Sequence, residues 1–244
     1  MASASAVPAQ APEGDSPSLA TALRLDLPHG LCEGVALPAE WGPAAAAACA
    51  LLPPATGAHA VALRPRRRLT FVGGRIALLR AGARLGMPLG DLLPDEDGAP
   101  ALPVTAVGSV SHTPRVAVAL VDRADGWSRG VDLESLDPAR VHIAPRVLVP
   151  AELRAVGELP AAERWPAILL RFSVKEAIYK ALRPFVRRLI GFAEAAVTPR
   201  ADGTCAVELA LDDRAGPFDL EARWLRLDRL FLTTCRVRPH GEVV

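Results

Sequence analysis

The chain has 244 residues, half of them apolar, with 28 Lys and Arg against 27 Asp and Glu. That length and apolar content bury a sizeable core, so the chain forms one large domain or two small ones. The near-balance of charge argues against a protein that coats nucleic acid or an anionic membrane, and leaves charge-based recognition to local clusters.

Residues 1–17 are rich in Ala, Ser, Pro and Gly, without the basic start and apolar run of a signal peptide, and read as a disordered tail. No stretch approaches the roughly 20 consecutive apolar residues that span a bilayer, so the expectation is a soluble, cytoplasmic protein. Cys32, Cys49, Cys205 and Cys235 are far apart, with no C-x-x-C pair, and read as small hydrophobes in a reducing compartment.

Residues 44–52 and 66–85 have helical composition, the first helix ended by Pro53-Pro54. Gly73 and Gly74 interrupt the second at about 1 kcal/mol each relative to alanine, which predicts a close approach to its backbone. Residues 86–103 hold prolines and glycines too closely spaced for an element and read as loop. Two apolar runs, 116–121 and 130–134, flank Asp122-Arg123-Ala124-Asp125-Gly126, and this pattern predicts a β-hairpin. A helical region begins at Pro150 and restarts at Pro166. Its clearest part is 168–183, where Leu170, Val174, Ala177, Ile178 and Ala181 keep helical spacing before Pro184. Alternating residues in 207–211, 218–224 and 230–237 predict a small antiparallel meander. Each half thus offers helices followed by strands. The expected fold is α+β with two similar lobes, 18–121 and 122–244, each a small, mainly antiparallel sheet with packed helices.

In Gly130-Val131-Asp132-Leu133-Glu134, a strand turns both carboxylates to one face and Val131 and Leu133 to the other. Two acids that close repel, and a hard cation such as Mg²⁺ relieves them while leaving sites for phosphate oxygens. Glu176 and Lys180 lie one helical turn apart, with Arg183 continuing their face. Taken singly, the first pair is equally a solvated strand face and the second an exposed ion pair. His112, in Ser109-Val110-Ser111-His112, is expected at the entrance of the strand that starts near Val116. Arg64, Arg66, Arg67, Arg68 and Arg75 form a basic cluster that reads either as a solvated helix face or as a polyphosphate clamp.

The order of these pieces is more specific than any one of them. Ser109 to His112, then Gly130 to Glu134, then Phe172-Ser173-Val174-Lys175-Glu176-Ala177-Ile178-Tyr179-Lys180 resemble the three ordered motifs of the Sfp-type 4′-phosphopantetheinyl transferase superfamily. Arg67 to Arg75 is similar to the basic region of its enterobactin-synthase branch. The resemblance implies two pseudo-dimeric lobes with coenzyme A in the cleft between them. It also implies Mg²⁺ on Asp132, Glu134 and Glu176, and phosphate contacts from Ser111, His112 and Lys180. Arg67 and Arg75 would hold the 3′-phosphate end of coenzyme A. The catalytic residues would be Glu176 and Lys180, the base for the attacked serine being Glu176 or a water on the metal. Where relatives often carry a lysine and a tryptophan, the loop here has the acidic run Asp95-Glu96-Asp97.

The implied reaction moves phosphopantetheine from coenzyme A to a serine of an acyl or peptidyl carrier protein and releases 3′,5′-ADP. The carriers would belong to polyketide, nonribosomal peptide or fatty acid synthases, with a lean toward secondary metabolism. A length near twice that of the trimeric holo-acyl-carrier-protein synthases implies a monomer. Three acids and a lysine also suit a Mg²⁺-dependent phosphohydrolase or nuclease, which is the alternative. Neither nucleic acid nor membrane is an expected partner.

Overall fold

The computed structural model describes residues 19–211 and 216–241. The tail expected at 1–17 lies outside them. Two compact units divide between Ala124 and Asp125.

The N-terminal unit opens with an unpredicted hairpin, β1 (Thr21–Leu27) and β2 (Gly30–Ala36). Helices α1 (Pro43–Ala50), α2 (Pro54–Ala62) and α3 (Pro65–Arg84) follow, then β3 (Ala106–His112) and β4 (Val116–Arg123). Each helix starts on proline, whose fixed φ suits a first turn and whose missing N–H is not needed there. Pro54, read from sequence as part of a stop, is therefore also a start. The four strands form one antiparallel sheet in the order β1-β2-β4-β3. A Cβ on Gly73 would overlap the Leu37 side chain, so the sequence signal for close approach holds at Gly73. It does not hold at Gly74, where the nearest atom is 3.8 Å away.

The C-terminal unit opens with β5 (Ser128–Ser135), followed by α4 (Ala144–Val147), α5 (Pro150–Gly157) and the long α6 (Ala161–Leu182). Strands β6 (Ala195–Pro199), β7 (Thr204–Leu209), β8 (Phe218–Leu227) and β9 (Leu230–Pro239) complete it. Its antiparallel sheet runs β5-β9-β8-β7-β6, so the predicted meander is present, with β5 added beside its last strand. α6 buries Ile168, Leu169, Val174, Ala177, Ile178 and Ala181 in a core shared with Phe231, Cys235 and Val237. Each unit is thus one antiparallel sheet with helices packed on it, the α+β arrangement expected.

Three expectations fail. The hairpin predicted from 116–121 and 130–134 does not exist: β4 pairs with β2 and β3, whereas β5 pairs along its whole length with β9. A short polar segment between two apolar runs allows a hairpin, but long registers with more distant strands bury both faces of each run. Second, α6 starts at Ala161 and continues through Pro166. The cost of the missing N–H is offset by Trp165, which is buried and donates its indole N–H to the Leu136 carbonyl at 2.6 Å. Third, both units begin with strands, so helices do not simply precede strands in each half.

Candidate active site

Gly130, Asp132 and Glu134 alternate onto one face of β5, the face toward α6. A Cβ on Gly130 would overlap the Ala177 carbonyl oxygen, so glycine is what lets the α6 backbone lie against the strand. From α6, Ser173, Ala177 and Lys180 meet that face, spaced four and three apart on one side of the helix.

Asp132 is the centre, only 3% exposed. Its Oδ2 accepts the Ser173 Oγ–H at 2.9 Å and its Oδ1 accepts a Lys180 Nζ proton at 2.8 Å. Lys180 also donates to the Val131 carbonyl at 2.9 Å. The bland reading of Glu176 and Lys180 as an isolated surface pair is therefore replaced by a cross-element link to β5. Glu134 is pushed up to about 7, first by burial, then by the charge of Asp132, with Glu176 adding to the rise and Lys180 and Arg140 opposing it. Glu176 is raised too, by burial first and by Asp132 second, against Lys180. Asp132, Glu134 and Glu176 thus form one electrostatic group.

Among the described residues, no three His, Cys, Asp or Glu side chains stand close enough to enclose a metal ion. Two carboxylates on one strand face, with Glu176 near enough for Asp132 to add to the effect of burial on it, still fit Mg²⁺. That ion takes one or two carboxylates and fills its other positions with water and phosphate oxygens.

The raised Glu134 has a stability consequence. Below about pH 4.5 the carboxyl is neutral in both folded and unfolded chains and costs nothing. As pH rises toward 7 the unfolded chain ionises first, so folding loses stability, and the full penalty stands above 7. In chelator at pH 8, Glu134→Gln is expected to stabilise the protein by about 1–2 kcal/mol, allowing for partial exposure, and to make no difference near pH 4.5. Paired thermal melts across this range test it, and a pH-independent gap would contradict it.

The other sequence-predicted residues lie in the N-terminal unit. Arg67 is exposed on α3, and Arg75 follows two turns later. Arg75 is buried, donates its Nε proton to the Leu92 carbonyl at 2.6 Å and lies 4.3 Å from the Phe71 ring centroid. Burial and then Arg67 push its pKa down to about 10, with Asp95 pulling it back. Arg75 therefore ties the 86–103 loop to α3, while the charge of Arg67 bears on it. Arg68 bonds the Val61 and Leu63 carbonyls and closes the end of α2. Ser111 and His112 end β3, opposite Val118 and Ala117. His112 is thus the last residue of β3, a strand not predicted, and it precedes the strand that starts at Val116, as expected.

Sequence reasoning missed two sets of residues. Lys175, within the quoted motif, is fully buried and donates to Glu152 Oε2, the Val147 carbonyl and the Phe192 carbonyl at 2.8, 2.8 and 2.9 Å. Thr233, on β9 directly opposite Asp132, bonds Ser173. Nothing in the sequence marks Thr233, because its place depends on the β5–β9 register.

Residues 54–122 match the 4′-phosphopantetheinyl transferase N-terminal domain, and residues 128–235 match the 4′-phosphopantetheinyl transferase superfamily. The chain belongs to that superfamily. It is 31% identical over 182 residues to the 4′-phosphopantetheinyl transferase Npt of Nocardia iowensis, covering 69% of this chain and 81% of that protein. It is 35% identical over 172 residues to the 4′-phosphopantetheinyl transferase Svp of Streptomyces mobaraensis, covering 69% of this chain but 64% of that protein's length. Among solved structures, the Chronobacterium ammoniagenes ACPS-CoA complex matches 48% of this chain and 99% of its own, at 21% identity and a TM-score of 0.40.

Proposed function

We propose that this protein transfers the 4′-phosphopantetheine arm of coenzyme A to a serine of an acyl or peptidyl carrier protein, releasing 3′,5′-ADP. The observation that carries the reading is the grouping of Asp132, Glu134, Glu176 and Lys180 across β5 and α6 in a chain of this superfamily. The activity in the names of Npt and Svp points the same way.

Breaking a phosphoanhydride builds negative charge on the leaving phosphate while a hydroxyl attacks the other phosphorus, so catalysis consists mainly of positioning and charge neutralisation. Asp132, Glu134 and Glu176 are the residues that would hold Mg²⁺, and when bound the ion supplies Lewis-acid charge to the pyrophosphate oxygens. Lys180, fixed by Asp132 and the Val131 carbonyl, presents its ammonium to the departing phosphate. The proton of the carrier serine would go to Glu176 or to a water on the ion. Arg67, Arg75, Ser111 and His112 are assigned to the nucleotide end of coenzyme A. We assign the carriers to polyketide, nonribosomal peptide or fatty acid synthases, and the protein to the cytoplasm as a monomer.

Incubating a panel of carrier domains with coenzyme A and Mg²⁺, then weighing them intact, tests the reading. The expected result is one added phosphopantetheine arm on at least one carrier, lost in chelator or when the carrier serine is alanine. Release of 3′,5′-ADP without a carrier would favour the phosphohydrolase alternative instead.

A further inference from the structure

We infer that Thr233 and Ser173 form a positioning pair that fixes the Asp132 carboxylate, and through it the Lys180 ammonium, for cation and phosphate binding. The inference rests on the reading of Asp132 as part of that site. A carboxylate on its own turns easily about its terminal bond, because such sp³–sp² torsions are broad. Here each oxygen of Asp132 accepts from a different donor, Ser173 on one side and Lys180 on the other, so the plane of the group is pinned.

The proton count shows what Thr233 adds. Ser173 has one hydroxyl proton, and an ionised Asp132 accepts only, so that proton goes to Oδ2. Thr233 Oγ1 lies 2.9 Å from Ser173 Oγ and 2.9 Å from the Ser173 carbonyl oxygen. Its single proton must therefore go to Ser173, at one atom or the other. Either choice holds the serine in the orientation that feeds Asp132. A serine in mid-helix has a competing option, a bond back to the carbonyl four residues earlier, here Leu169. Thr233 opposes that option from β9. All three side chains are buried: Thr233 and Ser173 are 0% exposed and Asp132 3%. Water is therefore a poor substitute for the missing hydroxyl.

The test uses the full chain and Mn²⁺ as the probe, with free Mn²⁺ counted by electron paramagnetic resonance alongside carrier labelling. Thr233→Val keeps the shape and removes the hydroxyl. It is expected to weaken Mn²⁺ binding about tenfold and to raise the Mg²⁺ concentration for half-maximal labelling by a similar factor, the scale usual for groups that orient ligands. Thr233→Ser keeps the hydroxyl and is expected to recover most of that loss, even where thermal melts show it is the less stable variant. Mn²⁺ affinity of Thr233→Val equal to wild type overturns the inference, as does a Thr233→Ser no better than Thr233→Val. A wild-type protein that neither binds Mn²⁺ nor labels a carrier overturns the proposed function as well, which separates the two failures.

Discussion

Replacing Lys175 with methionine is expected to destabilise the C-terminal unit by about 3–5 kcal/mol, a loss seen as a lowered urea midpoint. All three ammonium donors are used, on Glu152, Val147 and Phe192. Glu152 in turn accepts the backbone N–H groups of Val149 and Val197 at 2.8 and 2.7 Å. Removing the lysine leaves a buried carboxylate without its cation and two carbonyls without a donor, and each buried orphan is costly. Because Glu152 also serves two backbone groups, a second change of Glu152 to leucine would not restore an apolar core. It would strand two N–H donors. The network joins the start of α5, the middle of α6, the 192–194 turn and β6, so its loss affects several elements together. An unchanged urea midpoint for Lys175→Met would refute the structural role.

The two lysines of one motif show how much of the site was legible. The sequence placed Glu176 and Lys180 on one helix face correctly, because helical periodicity is local. It could not show that Lys175 points the opposite way into a closed network, since that depends on β6 and α5. The same limit explains the strands. The meander of β7, β8 and β9 was readable from alternation, but the partner of β5 was not. Neither alternation nor a glycine-containing turn specifies which strand lies alongside. The β1–β2 hairpin was missed although Leu23, Leu25 and Leu27 alternate and Gly30 sits at φ +128°, a conformation suited to glycine. The Ala-rich composition of the first half favours helices instead.

The acid group divides along the same line. Asp132 and Glu134 were predicted as one strand face and Glu176 as a helix face, and their union follows from Gly130 admitting α6 against β5. The first glycine of the motif, which carries no chemistry, therefore decides whether β5 and α6 come close enough for the carboxylates to act on one another. Asp132 also anchors Ser173 and Lys180, so its removal damages packing as well as charge. The basic residues of α3 gave a weaker signal. Arg68 is committed to carbonyls and Arg75 gives its Nε proton to Leu92, so a run of arginines in the sequence is not by itself a run of phosphate contacts.

Glu176 is the position where chemistry and stability separate most cleanly. Glu176→Gln keeps the size of the side chain and removes its charge and its capacity to take a proton. Labelling of a carrier protein by this variant is expected to fall by about 10²- to 10⁴-fold in single-turnover rate, the range associated with a positioned general base. Its thermal stability is expected to hold or rise at pH 8. A carboxyl whose proton affinity is raised by burial and by Asp132 costs the folded state energy when ionised, and the amide escapes that cost. The pair of readouts makes the result decisive. A melting temperature that falls together with the rate would assign Glu176 a packing role like that of its neighbour Lys175. Wild-type labelling would remove it from the site altogether. Loss of rate in a protein at least as stable as wild type is the outcome expected of a group retained at some expense of stability because the reaction needs it.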